Sequence, residues 1–253
     1  MGVLEVAARI VQLGGAPARA TLVAELRAAF EARTGRFNPE DPWFEERSRA
    51  FWCDAVTTGR FGRAVEAELS DADRAWLPAL ERAHRGLFRM AGRDTLVDVW
   101  SGAELRVTVF DEQSTRAELD ASLGAEPGRA GPSGGGAQLF DARVIGVSGD
   151  DAPEAFCVAL LPGPLFHPRD ATPAIDGVLR AARARDMATG DVLDALLRME
   201  RSLRSLSRVK TSYAYRPEAL SPHPPGEASA GPLQPRRGSA ADATVRRASK
   251  GPR

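Results

Sequence analysis

The hydrophobic period of this 253-residue chain changes twice, and that change constrains the fold more than any single residue does. Up to about residue 90 apolar residues recur at helical spacing; from there to about 170 they alternate or run unbroken as in strands; beyond 170 the helical spacing returns. Blocks of helix and strand in succession point to the α+β class. The expected architecture is a helical N-terminal part, a small antiparallel sheet or barrel of four or five strands, a C-terminal helical pair and a disordered tail.

Val3 to Leu13 reads as a short helix ended by Gly14-Gly15, and a second follows Pro17 with Leu22, Leu26, Ala29 and Phe30 on one face, closing at Gly35. Asp41-Pro42 is a helix start, because proline at the first helical position lacks an N–H that would go unpaired there. The helix that follows carries Trp43, Phe44, Phe51 and Trp52. In a chain that is only 6% aromatic these are the expected core of the N-terminal part, each side chain able to bury on the order of 150–250 Å². A further helix is expected after Ser70-Asp71, kinked or split by Pro78, with His84 near its end, where a positive charge complements the helix dipole.

The strand block contains Thr95 to Trp100 and Ala103 to Phe110 around a Ser101-Gly102 turn, the second run alternating Leu105, Val107 and Val109 against polar residues. Thr115 and Glu118 form a capping-box pair for a short helix ending at Gly124, and the glycine- and proline-rich span Ala125 to Gly136 reads as flexible. Gln138 to Val147 and Ala155 to Leu161 are two more strands, the last nearly all apolar and suited to burial on both faces. Trp100-Ser101-Gly102 and Leu139-Phe140-Asp141-Ala142-Arg143 are similar to segments of small β-barrels, a fold-level likeness that carries little about function. The segment lacks the interleaved aromatic and basic residues of nucleic-acid-binding barrels.

Thr172-Pro173 repeats the cap-plus-proline start for a helix to about Arg185, and Gly190-Asp191 introduces a longer one through about Val209. In the longer helix Val192, Leu196, Met199, Leu203 and Leu206 form one narrow apolar stripe, with Arg201, Arg204 and Arg208 opposite and Arg198 beside them. The expected division is therefore a helical part over 1–90, a β segment over 91–170, C-terminal helices over 171–220, with 1–220 able to form one folded unit, and a basic tail over 221–253.

Composition narrows the function classes. Lysine occurs only at Lys210 and Lys250 against 32 arginines, a bias that GC-rich bacterial codons produce and that makes arginine the routine solubilising cation here. The net charge of zero divides into −7 for residues 1–170 and +7 for the remainder, so the two parts can attract each other or the basic part can seek an acidic partner. Cys53 and Cys157, far apart, fit neither a disulfide scaffold nor a zinc module and read as buried small hydrophobes. No stretch is long and apolar enough to span a membrane or to act as a secretory signal, so cytoplasmic residence is expected.

The catalytic inventory is thin. No GxSxG, HExxH or Walker sequence is present, and Gly134-Gly135-Gly136 precedes a strand where a phosphate loop would precede a helix. Glu40, Asp41, Glu45, Glu46 and Asp54 resemble a metal cluster less than an acidic first helical turn and its surroundings. No catalytic, cofactor-binding or metal-binding residues are assigned, no cofactor is expected, and the balance leans against an enzyme. Three candidate features remain. The basic face of Arg198, Arg201, Arg204 and Arg208 can meet an acidic partner or serve as a solvated side. Arg236-Arg237-Gly238-Ser239 and Arg246-Arg247-Ala248-Ser249 in the tail suit electrostatic contact with nucleic acid, with Ser239 and Ser249 as phosphorylation candidates. His167 stands in a loop after an apolar strand, a place where working residues are often displayed. The leading expectation is a protein-interaction or regulatory module with an unknown protein partner and no membrane role. The alternative is sequence-independent nucleic-acid binding through the basic helix and tail.

Overall fold

Two helices and a proline-started turn begin the chain: α1 (Val3–Gly14), a short 3-10 turn at Pro17–Arg19, and α2 (Ala20–Thr34). The computed structural model describes residues 2–110, 119, 138–147, 157–206 and 210–220. The helix expected from Thr115 to Gly124, the span 125–136 and the tail 221–253 lie outside these residues, Leu119 excepted. Asp41 and Pro42 sit in a turn in which the Asp41 carboxylate accepts the Asn38 N–H at 2.7 Å, so α3 (Phe44–Thr57) starts two residues later than the proline implied. Then come α4 (Arg60–Val65), α5 (Asp71–Arg74) and α6 (Leu77–Glu81), the last two being the expected helix split next to Pro78.

Helical spacing on α3 turns Arg47, Ala50, Phe51 and Asp54 inward. Of the four aromatics expected in the core, Phe51 is buried, whereas Trp43, Phe44 and Trp52 pack at its edge. In this helical cluster the fully buried rings are Phe30, Phe37 and Phe61, with Phe30 meeting Phe37 and Phe51 edge-on at 6.2 and 6.0 Å. α1 adds Val6 and Ile10 to the same cluster.

The strands are β1 (His84–Met90), β2 (Thr95–Asp98), β3 (Glu104–Val109), β4 (Leu139–Gly146), β5 (Cys157–Leu160) and the two-residue β6 (Leu165–Phe166). They follow the order β1-β2-β3-β5-β4, and β4 pairs back onto β1, closing a five-stranded barrel with β6 added to β4. All pairings are antiparallel except β3–β5, so the barrel is mixed where an antiparallel one was expected. Phe88, Met90, Leu96, Val107, Phe140, Val144 and Leu160 fill its interior. His84, expected to end a helix, instead begins β1. Its Nε2 lies 2.9 Å from Asp98, whose other carboxylate oxygen accepts the Trp100 N–H at 2.8 Å and fixes the β2–β3 turn. That hydrogen bond raises the His84 pKa.

The C-terminal helices are α7 (Thr172–Ala184), α8 (Thr189–Ser205) and the single turn α9 (Thr211–Ala214), with a 3-10 turn at Pro217–Leu220. Residues 1–222 form one compact unit. β4 is buried on both faces: Ile145 joins the N-terminal helical core, Leu139 joins the cluster of α7 and α8, and Phe140, Ala142 and Val144 face the barrel interior. Between these apolar contacts the outward positions of β1 and β4 are charged. Arg85 holds Asp141 through Nε and Nη2 and reaches Asp194 of α8 at 2.6 Å; Arg143 and Arg33 both hold Asp54 of α3. Opposed carboxylates raise Arg85 despite its burial, and the seam joins barrel to helices through ion pairs.

Candidate functional site

Along one edge of β4 the chain runs as a single interrupted strand. Val158 to Leu160 pair with Val144 to Gly146, and after a break Leu165 and Phe166 pair with Asp141 and Phe140. The break is Pro162-Gly163-Pro164, where the prolines offer no N–H to a ladder and Gly163 takes φ +91°. A Cβ on Gly163 would stand 2.7 Å from both the carbonyl carbon and the carbonyl oxygen of Arg49, so only glycine lets the bulge lie against the backbone of α3.

The resumed strand delivers His167. Its N–H donates to the Leu139 carbonyl at 2.8 Å, and its carbonyl accepts from the Gln138 side-chain amide at 3.1 Å. The side chain is 1% exposed, and its Nδ1 lies 2.8 Å from the hydroxyl of Tyr215, the residue that follows α9. Nε2 is buried and meets no hydrogen-bond partner among the described residues. A neutral imidazole carries one donor and one acceptor. If Tyr215 donates to Nδ1, the Nε2 proton lacks an acceptor; if Nδ1 donates to the phenol oxygen, the Nε2 lone pair is unmet.

Burial pulls the His167 imidazole down to about 4; Glu200 and Asp141 oppose the shift, while Arg47 and Arg204 add to it. Burial also raises the Tyr215 phenol, and the charge of Glu200 adds to that. Neither group exchanges a proton near neutral pH. The imidazole is thus a fixed neutral hydrogen-bonding group.

A cavity of about 440 Å³ opens beside His167. Pro164, Phe166 and Pro168 form its apolar wall, and Glu46, Gln138 and Arg204 face it together with His167. Arg204 holds Glu46 through Nη2 at 2.9 Å and gives its Nε to Glu200. Its own burial is outweighed by those two carboxylates, which raise its pKa. Behind it Glu200 also receives the guanidinium of Arg47, a side chain 1% exposed that donates to the carbonyls of Thr34 at 3.2 Å and Leu197 at 2.7 Å. One hydrophobic strand residue, Phe166, two prolines and a chain of ion pairs thus converge where β6, α3 and α8 meet.

The structure leaves the described arginines of the expected α8 face half-buried, turned onto the end of α2 and the first turn of α3. Arg198 donates to the carbonyl of Arg33, Arg201 to that of Arg36, and Arg204 pairs with the carboxylates named above. The first two carbonyls lie at and just beyond the end of α2, where the helix ladder leaves acceptors unmet. Burial lowers the pKa of Arg198. On the opposite stripe Val192, Leu196 and Met199 are buried, Leu203 is partly buried and Leu206 is 49% exposed. Arg208, the tail arginines Arg236, Arg237, Arg246 and Arg247, and Ser239 and Ser249 lie outside the described residues.

The acidic residues near α3 are dispersed: Asp41 caps a turn, Glu46 pairs with Arg204 and Asp54 bridges Arg33 and Arg143. Among the described residues no group of three His, Cys, Asp or Glu side chains is arranged to hold a metal ion. Both cysteines are buried and unpaired, and burial pushes the Cys53 thiol up to about 11. Sequence reasoning singled out His167 but not Tyr215, Gln138, Arg47 or Glu200 as its surroundings. Tyr215 is 48 residues away and one of only two tyrosines, a scarcity that is the single sequence signal it carries. No protein family matches this sequence, and no curated protein or solved structure is significantly similar to it.

Proposed function

We propose that this chain is a non-enzymatic interaction module whose barrel-and-helix frame presents the pocket beside His167 to part of a protein partner. The observation that carries the reading is a cavity of about 440 Å³ walled by Pro164, Phe166 and Pro168 and faced by Glu46, Gln138, Arg204 and His167, whose buried Nε2 has no partner among the described residues. A buried imidazole nitrogen left unmet costs on the order of 1–3 kcal/mol, which favours a site where a polar group of a partner can meet it. The volume falls in the range of ligand sites, roughly 300–1,000 Å³, and an apolar wall with a few polar groups is their usual lining. An imidazole held neutral far below pH 7 supports hydrogen bonding in preference to proton transfer. Cytoplasmic residence belongs to the same reading, supported by two unpaired cysteines.

Nucleic-acid binding by the α8 face draws less support, because Arg198, Arg201 and Arg204 already hold carbonyls and carboxylates of the same chain. The experiment is affinity capture with the wild-type chain and with Glu46→Trp, a change at a partly exposed helical position that fills the mouth of the pocket. A protein retained by the wild type and lost by the variant supports the proposal. Species retained equally by both, or recovery of nucleic acid alone, would reject it.

A further inference from the structure

The charges around the pocket are not arranged symmetrically. Arg47 and Glu200 form a buried pair, their side chains 1% and 3% exposed, so each already neutralises the other. Arg204 shares Glu200 with Arg47, which leaves the inner wall with two cations and one carboxylate. The balancing charge is Glu46, on the first turn of α3, with a side chain 42% exposed. A pair with one partner so exposed is held by roughly 0–1 kcal/mol, and Glu46 can turn to water at little cost. The apolar side of the same cavity is built from ring side chains, those of Phe166, Pro164 and Pro168, on whose faces a planar group can stack.

Resting on the reading of this cavity as a binding site, we infer that it takes a carboxylate carried on a flat apolar group, the carboxylate replacing Glu46 on Arg204. Guanidinium and carboxylate match in planar, two-point geometry, and the exchange leaves the number of ion pairs unchanged while the apolar body leaves water. The chemistry admits a free aromatic acid or the C-terminal residue of a partner chain.

The test uses the full chain with ¹⁵N-labelled histidine and follows the ring nitrogens of His167 by NMR during titration with benzoate, benzamide and benzylamine. Benzoate is expected to move the His167 resonances and to bind at least tenfold more tightly than the neutral amide, with the amine weakest. Glu46→Gln, which removes the internal competitor at a partly exposed position, is expected to tighten benzoate about threefold. Equal binding of benzamide or benzylamine, or unchanged or weaker benzoate binding in Glu46→Gln, overturns the inference while the pocket reading stands. If none of the three compounds moves the His167 resonances, both fall. A tetrapeptide ending in phenylalanine, compared as free acid and as amide, separates the sources: tighter binding of the acid than of benzoate assigns the carboxylate to a chain terminus, and weaker binding assigns it to a free acid.

Discussion

Replacing Arg47 by methionine tests whether the ion pair behind the pocket holds α2, α3 and α8 together. The guanidinium is 1% exposed and makes three contacts: the Thr34 carbonyl, the Leu197 carbonyl and the Glu200 carboxylate. Methionine fills most of the volume and restores none of them. Each buried carbonyl left unmet costs about 1–3 kcal/mol. Glu200 keeps Arg204, which moderates the loss of its buried partner; removing one member of such a pair costs about 3–5 kcal/mol in general. The expected destabilisation is about 4 kcal/mol, a large part of the roughly 5–15 kcal/mol that holds a domain folded. For a unit of this size that lowers the melting temperature by about 8–16 °C. The assay is thermal and urea unfolding followed by circular dichroism. Arg60→Gln serves as control, because the Arg60–Glu25 pair is exposed on both sides and its loss is expected to cost under about 1 kcal/mol. A loss below about 1 kcal/mol for Arg47→Met, or one equal to the control, would refute the argument that burial makes this pair a structural tie.

Three further outcomes follow from particular residues. His167 has a folded pKa of about 4 against an ordinary value of 6.5, so the unfolded chain takes up its proton first as pH falls. This contribution is unchanged above about pH 6.5 and erodes stability by roughly 3 kcal/mol between there and pH 4; in urea titrations at pH 7, 5.5 and 4, His167→Gln should flatten that fall, and an unaltered pH slope contradicts the assignment. Gly163→Ala should cost more than about 2 kcal/mol, because the positive φ disfavours a side chain and the Cβ would strike the backbone of α3, and a near-neutral urea midpoint would show that the bulge yields freely. Arg201→Gln should leave fluorescence anisotropy curves with labelled DNA and RNA at about 50 mM salt unchanged, since that guanidinium is spent on the Arg36 carbonyl; a loss of affinity beyond threefold returns the α8 face to the solvent.

The order of blocks was legible from the sequence because it depends on local periodicity alone. The stretches around Leu105–Val109, Gln138–Val147 and Ala155–Leu161 alternate or run apolar, and they became β3, β4 and β5. Thr172-Pro173 set the start of α7 through the missing proline N–H, and the apolar stripe placed α8. His84 was misread because nothing within its own turn distinguishes a helix end from a strand start. Its state is decided by Asp98 at the end of the neighbouring β2 and by β4, whose Val144 lies opposite it.

Closure of the barrel, the parallel β3–β5 pair and the convergence at His167 were decided only by tertiary structure. A strand's own pattern specifies which face is buried but not which neighbour it pairs with, so the return of β4 onto β1 has no local signature. The same limit applies to charge. Arg198, Arg201 and Arg204 form a basic face when α8 is drawn alone, and a half-buried clamp once the end of α2 and the first turn of α3 stand beside it. Periodicity orients a side chain within its own element, whereas Coulomb and hydrogen-bonding partners come from anywhere in the chain, here from 165 residues away for Arg198 and 48 for His167.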